Sequence, residues 1–134
     1  MNRKRIVLIA LAAVLIAGVI ICIAAFKRIE ANLSKLSGLP VVKIDLSTLS
    51  DGTYTGSYKA FPVEAEVKVT ISNHRIVSIK LIKHNNGQGE AAAVIPERVV
   101  EAQTLEIDHI SGATYSSKVI LKAIENALTN STSK

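Results

Sequence analysis

The residues best suited to chemistry stand together near the end of the chain: Asp108, His109, Ile110, Ser111, Gly112, Ala113, Thr114, Tyr115, Ser116 and Ser117. A glycine among small hydroxyl residues, set just before a segment of helical periodicity, lets the backbone turn tightly and leaves N–H groups pointing outward. Such an entrance is a place for an anion. A phosphate there gains from the unpaired donors and from the positive end of the helix dipole, and Thr114 puts a hydroxyl at the same spot. The plainer alternative is that Ser111, Thr114 or Ser116 simply caps the helix, a contribution of about 0.5–2 kcal/mol. On these residues alone the cap is the commoner case, since most Ser and Thr at helix starts do nothing more.

The elements that must position this stretch are legible on both sides of it. Downstream, Val119, Ile120, Ala123, Ile124, Ala127 and Leu128 recur at helical spacing, with Lys118, Lys122, Glu125 and Asn126 on the other side, which predicts an amphipathic helix. Residues 129–134 are expected to fray. Upstream, a shorter helix is expected with Pro96 in its opening turn and Val99, Val100 and Ala102 as its apolar contacts. Before that, Val63, Ala65, Val67, Val69 and Ile71 alternate with polar residues, and Val77, Ile79 and Leu81 do the same after Asn73 and His74. Two such runs about a short turn predict an antiparallel hairpin with one apolar face. Asp51 to Tyr58 adds a further strand. The expected fold class is therefore α+β, a small antiparallel sheet with helices packed on one face.

A membrane segment precedes this domain. Ile6 to Phe26 is a run of 21 uncharged residues, long enough at 1.5 Å per residue to cross a hydrocarbon core of about 30 Å. Arg3, Lys4 and Arg5 lie before it, and the positive-inside tendency keeps them in the cytoplasm and sends the C-terminal side across. A cleaved signal peptide is the rival reading, but the apolar run exceeds the usual 7 to 15 residues and offers only a poor small-x-small site around Cys22 and Ala24. The expected organisation is residues 1–5 in the cytoplasm, 6–26 as a single-pass anchor, 27–45 as a stalk with a short helical stretch through Leu36 before the breakers Ser37, Gly38 and Pro40, and 46–130 as an extracytosolic domain.

Charge and cysteine content exclude other classes. The formal net charge is +5, carried by Arg3, Lys4, Arg5, Lys27 and Arg28, while from Ile29 onward 11 basic residues face 11 acidic ones. The exported part thus has no basic footprint for a phosphate backbone, and no nucleic-acid partner is expected. Cys22, inside the apolar run, is the one cysteine, so neither an internal disulfide nor a cysteine metal site is expected. His74, His84 and His109 are too scattered to make a metal centre without further ligands. No Ser-His-Asp, paired-carboxylate or nucleotide-loop pattern is discernible, so an electron carrier is a better reading than an independent enzyme.

Ser111-Gly112-Ala113-Thr114, with Asp108 three residues ahead and Ser116 and Ser117 just after, resembles the flavinylation motif of the FMN-binding domain family. That family includes the flavin subunits of the sodium-pumping NADH:quinone oxidoreductase and of Rnf-type complexes, along with many small membrane-anchored proteins. Asp51-Gly52-Thr53-Tyr54-Thr55-Gly56 is similar to its opening signature, the hairpin from Glu64 to Lys83 to its central strands, and His84-Asn85-Asn86-Gly87-Gln88-Gly89 to its His- and Gly-containing loop; Gln103 also fits. Ser116 departs from the Thr found in many members, and Tyr115 matches a subset.

The resemblance implies FMN joined by a phosphoester to Thr114, attached by a separate flavin transferase that uses FAD as donor. It implies a membrane-anchored electron carrier whose partners are redox donor and acceptor proteins or a quinone-linked complex. Implied cofactor contacts are Ser111, Gly112, Ala113, Asp108, Tyr115, Ser116, His84 and Tyr54 beside Thr114. Aromatic residues are scarce, so Tyr54, Tyr58, Phe61 and Tyr115 are the few able to lie against the flavin ring. The competing readings are a module that holds FMN or another phosphate compound without a bond, and a structural domain without cofactor.

Overall fold

The computed structural model describes residues 2–85 and 90–130, without the side chain of residue 37. The chain divides into two units, Met1–Asn32 and Leu33–Lys134. Helix α1, Arg3–Gly38, begins in the first and ends in the second. Its apolar side chains over the first unit are exposed, from Ile6 at 49% to Phe26 at 76%, and it is long and apolar enough to cross a membrane. The helical stretch expected through Leu36 is continuous with the anchor helix and ends at Gly38 among the expected breakers; its last turns bury Leu36 to 2% in the core of the second unit, with Val41 and Ile44 packed alongside.

In the second unit, β1 (Gly52–Ala60), β2 (Val63–Ser72) and β3 (Arg75–Asn85) form an antiparallel sheet in the order β1-β2-β3. Val63, Ala65, Val67, Val69 and Ile71 all point to one face and are at most 4% exposed, as the period-two pattern requires. Asn73 and His74 turn the chain with φ of 51° and 57°, the pair of positive angles that a two-residue hairpin needs. The Asn73 N–H also donates to Asp51 Oδ1 at 2.8 Å, tying the hairpin to the start of β1.

Strand β3 departs from the expected alternation. Ile76 is buried and Val77 is 53% exposed, because the register slips between Thr70 and Ile71, where Ile71 pairs with Ile76 and Thr70 with Ser78. Val77 is the extra residue of a bulge, and a second slip between Glu66 and Val67 leaves Ile82 outside in the same way. Each bulge shifts the pleat by one residue, so Ile76, Ile79, Leu81 and His84 share the inner face although the steps across the two bulges are three residues and not two.

Two helices cover that face. Helix α2 (Ile95–Ala102) buries Ile95, Pro96 and Val99, with Pro96 in its first turn, where the missing N–H has no consequence. Ala102, expected to be a contact, is exposed. Helix α3 (Thr114–Thr129) lies over β1 and β2. Glu125 was expected on its solvated side but is 6% exposed. It is paired at 2.6 Å with Lys122 and accepts the Val42 N–H at 3.1 Å, so a buried charge is neutralised by its neighbour and by the chain that follows α1.

Gln103 closes the free edge of β3. It sits in the left-handed region, φ 55°, at the end of α2. Its Oε1 accepts the Ile76 N–H at 2.9 Å, while its Nε2 donates to the Ile76 carbonyl at 2.8 Å and to the Val100 carbonyl at 2.6 Å. The side-chain amide thus acts as one residue of a fourth strand. Gln103→Ala leaves both backbone groups of buried Ile76 unpaired, and the expected loss is about 1–3 kcal/mol of unfolding free energy, read as a lower urea midpoint at unchanged slope.

Candidate functional site

The Ser111–Thr114 stretch forms a tight turn leading into α3. The Ala113 N–H donates to the Ile110 carbonyl at 2.9 Å, and Gly112 takes φ 77°. A side chain at Gly112 would meet nothing within 4 Å, so the glycine is needed there for its backbone angle alone. Ala113 is the N-cap of α3, and among the described residues no side chain caps the helix. The first-turn N–H groups therefore have no side-chain acceptor. Thr114, the first helical residue, is exposed together with Ser111 and Gly112.

Neither Ser111, Thr114 nor Ser116 is the cap that the simpler reading assigned. The brace is Ser117, which is fully buried. Its Oγ donates to the Ala113 carbonyl at 2.8 Å and accepts the Ile110 N–H at 3.2 Å, holding both ends of the Ile110–Ala113 turn. Ser116 is also turned inward, at 2% exposure. Of the motif's hydroxyls, then, Thr114 and Ser111 face outward and Ser116 and Ser117 do not. Asp108 is exposed and lies on an open groove of about 500 Å³ with Arg98, Glu101, Glu106 and Ile107. Among the described residues no three His, Cys, Asp or Glu side chains gather as metal ligands.

Tyr115 is half-buried, and its hydroxyl donates to the carbonyls of Ala60 at 3.1 Å and Phe61 at 3.2 Å. Burial, with Tyr58 nearby, raises its pKa above the ordinary tyrosine value. These bonds fasten the start of α3 to the β1–β2 turn. Tyr58, Ala65 and His84 form one cross-strand row at the same end of the sheet. Tyr54 is not brought to the site: it pairs with Val69 and donates to the Ser50 carbonyl at 2.7 Å, six residues or about 20 Å along β1 from Ala60.

His84 lies on the helix-covered face at the end of β3, and its Nε2 is buried without a hydrogen-bond partner among the described residues. Asn86, Gly87, Gln88 and Gly89 of the expected His- and Gly-containing loop lie outside the described residues. Burial lowers the His84 pKa below its ordinary value of 6.5. The neutral ring is thus favoured in the fold, and the unfolded chain takes up its proton at higher pH than the folded one. The sign follows: this contribution to stability is complete above about pH 6.5 and is lost as the pH falls below it. Between pH 7.5 and 5.5 the urea midpoint is expected to fall further in the wild type than in His84→Gln.

Thr114 also borders a cavity of about 160 Å³, lined by Leu33, Leu36, Tyr115 and Lys118. Lys118 is one turn beyond Thr114 and so shares its side of the helix. Ser117 stood in the sequence-derived stretch without its bracing role, and Lys118, Leu33 and Leu36 were absent from the sequence-derived site. The i, i+4 spacings from Ala113 to Ser117 and from Thr114 to Lys118 carry the signal for the first two, but nothing local marks the leucines.

A three-stranded antiparallel sheet covered by helices on one face, with an uncapped helix start that presents a hydroxyl and backbone donors, defines an α+β domain suited to a phosphate-bearing ligand. The chain belongs to the FMN-binding domain family, whose pattern matches residues 62–129, just over half of the 134. An 82-residue stretch, 59% of the chain, is 34% identical to the NADH:acrylate oxidoreductase of Vibrio harveyi and covers 8% of that protein. An 89-residue stretch, 64% of the chain, is 28% identical to an uncharacterized protein of Treponema pallidum (strain Nichols) and covers 25% of it. The chain therefore spans a quarter or less of the length of these two relatives. The crystal structure of the CPE2226 protein from Clostridium perfringens superposes with a TM-score of 0.51 at 26% identity, covering 62% of this chain and 88% of that one.

The residues present fit FMN. The free donors at the start of α3 suit its phosphate, the cavity beside Thr114 is walled by leucines and a tyrosine, and the buried Nε2 of His84 is an unused polar group at the same end of the sheet.

Proposed function

We propose that this chain is a membrane-anchored, extracytosolic electron carrier with FMN held by a phosphoester to Thr114. The observation that carries the reading is the exposed Thr114 hydroxyl at the uncapped start of α3, within Ser111-Gly112-Ala113-Thr114 of an FMN-binding domain. In the attachment, the Thr114 Oγ attacks the flavin-side phosphorus of FAD. The new Oγ–P bond replaces the pyrophosphate bond, AMP departs, the hydroxyl proton passes to solvent or to a base of the transferase, and no electrons change hands.

A covalent bond replaces a dissociation equilibrium, so the cofactor stays where free flavin is scarce. Flavin exchanges one or two electrons, and the protein's share is to orient, hydrogen-bond and shield it. The small cavity and the half-exposed surroundings of Thr114 favour a carrier that passes electrons between partners over an enzyme that encloses a substrate. The Vibrio harveyi relative, an NADH:acrylate oxidoreductase, agrees with a redox role. Residues 6–26 serve as the anchor with Arg3, Lys4 and Arg5 in the cytoplasm, residues 27–45 as the connection, and residues 46–130 as the flavin domain. The partners are a flavin transferase for maturation and donor and acceptor proteins or a quinone-linked complex.

Coexpression with a flavin transferase in an exporting host tests this. The expected product is a band that fluoresces after denaturing electrophoresis. A yellow native protein whose colour leaves on unfolding would instead indicate a module that binds FMN without a bond, and a colourless one a structural domain.

A further inference from the structure

We infer that the end of α1, through Leu33 and Leu36, forms one wall of the flavin's seat. The inference rests on Thr114 as the acceptor. The cavity that borders Thr114 is lined by these two leucines of α1 together with Tyr115 and Lys118 of α3. Leu36 is held in place by the core at 2% exposure, whereas Leu33 is 42% exposed. One leucine is thus a fixed floor and the other presents an apolar side chain to whatever fills the space. Both precede the residues that match the family, 62–129, and both fall within the stretch first read as a stalk.

Chemistry commits the cavity to part of a flavin. A group tethered at the Thr114 oxygen has its phosphate at the helix start, where the N–H donors are, and its apolar ring must then find an apolar surface within reach of the tether. At about 160 Å³ the cavity is smaller than the roughly 300–1,000 Å³ of sites that enclose a whole ligand. It accepts one edge of the ring and leaves the rest open to a redox partner. An alternative exposed aromatic surface at this end is Phe61, 62% exposed at the β1–β2 turn and joined to Tyr115 through its carbonyl, whereas Tyr58 packs against the core. Phe61 does not line the cavity beside Thr114, and the Tyr115 hydroxyl is committed to that turn.

The sequence contains no tryptophan, so one introduced tryptophan adds a short-range quencher of flavin fluorescence to the background set by the three tyrosines, which wild type and variants share. The full chain, loaded by the transferase and checked by intact mass, is compared with Leu33→Trp and Phe61→Trp. The lifetime in Leu33→Trp is expected to fall at least twofold below wild type, and that in Phe61→Trp to stay within a fifth of it. Leu33→Ala, which keeps the fold of a half-exposed position, is expected to raise quenching by iodide at least twofold. A loaded chain with an unchanged lifetime in Leu33→Trp, or with the drop in Phe61→Trp instead, overturns this inference alone. A wild-type chain without the added mass overturns the acceptor reading and this inference with it.

Discussion

Thr114→Ala is expected to give a folded, membrane-inserted chain with no covalent flavin at all. Thr114 is exposed and caps nothing, so the substitution removes a hydroxyl from solvent and leaves the core untouched; exposed changes of this kind move stability by about 0.5 kcal/mol or less. The modification, in contrast, has no other oxygen in the same place. Ser111 lies on the far side of the Gly112 turn, while Ser116 and Ser117 are at 2% and 0% exposure. Ser117 is also engaged at both ends of the Ile110–Ala113 turn. Thr114→Ser keeps the nucleophilic oxygen at the first helical position and is expected to retain flavin. In-gel fluorescence of wild type, Thr114→Ser and Thr114→Ala, beside matched thermal melts, separates loss of the acceptor from loss of the fold.

Gly56→Ala is expected to be the most damaging single methyl group in the domain. A Cβ at Gly56 would lie 2.3 Å from the Ala123 carbonyl oxygen and from the Ala127 nitrogen, and 2.7 Å from the Ala127 Cα. All three are backbone atoms of α3, so no side chain can swing aside; the helix itself must lift from β1. Overpacking a core costs about 1–3 kcal/mol and sometimes more, and with rigid backbone as the obstacle at least about 3 kcal/mol is expected, a large part of the ~5–15 kcal/mol of a whole domain. Ser57→Ala, the neighbouring outward position, is the control and is expected to change stability by no more than about 0.5 kcal/mol. Urea unfolding of the three proteins decides the matter, and a Gly56→Ala midpoint equal to wild type would contradict the packing of α3 on β1. The damage would extend to function, because the same helix presents Thr114.

Much of this fold follows from local pattern. The strict alternation in β2, the Asn73-His74 turn and the helical spacing from Val119 to Leu128 each report one element through its own periodicity. What the pattern missed has a non-local cause in every case. Val77 reads as inward by alternation and is thrown outward by a bulge whose origin is the pairing with β2. Glu125 reads as solvated by helical phase and is buried because Lys122 neutralises it and the Val42 N–H caps it across 83 residues of sequence. At the site, the acceptor turn was legible because glycine, small residues and hydroxyls signal it within a few positions. Tyr54 was grouped with that turn through motif order, yet it is separated from it by most of a strand. Leu33 and Leu36 were invisible there because an apolar helix end looks the same whether it meets lipid, solvent or a cofactor.

Intact-mass measurement of the full chain, recovered from an exporting host that also makes a flavin transferase, tests the central claim most directly. The account predicts a chain heavier by one FMN residue, with the added mass mapped by peptide fragmentation to Thr114. A chain recovered with Thr114 bare, from cells whose other flavinylated proteins are fully loaded, would contradict it.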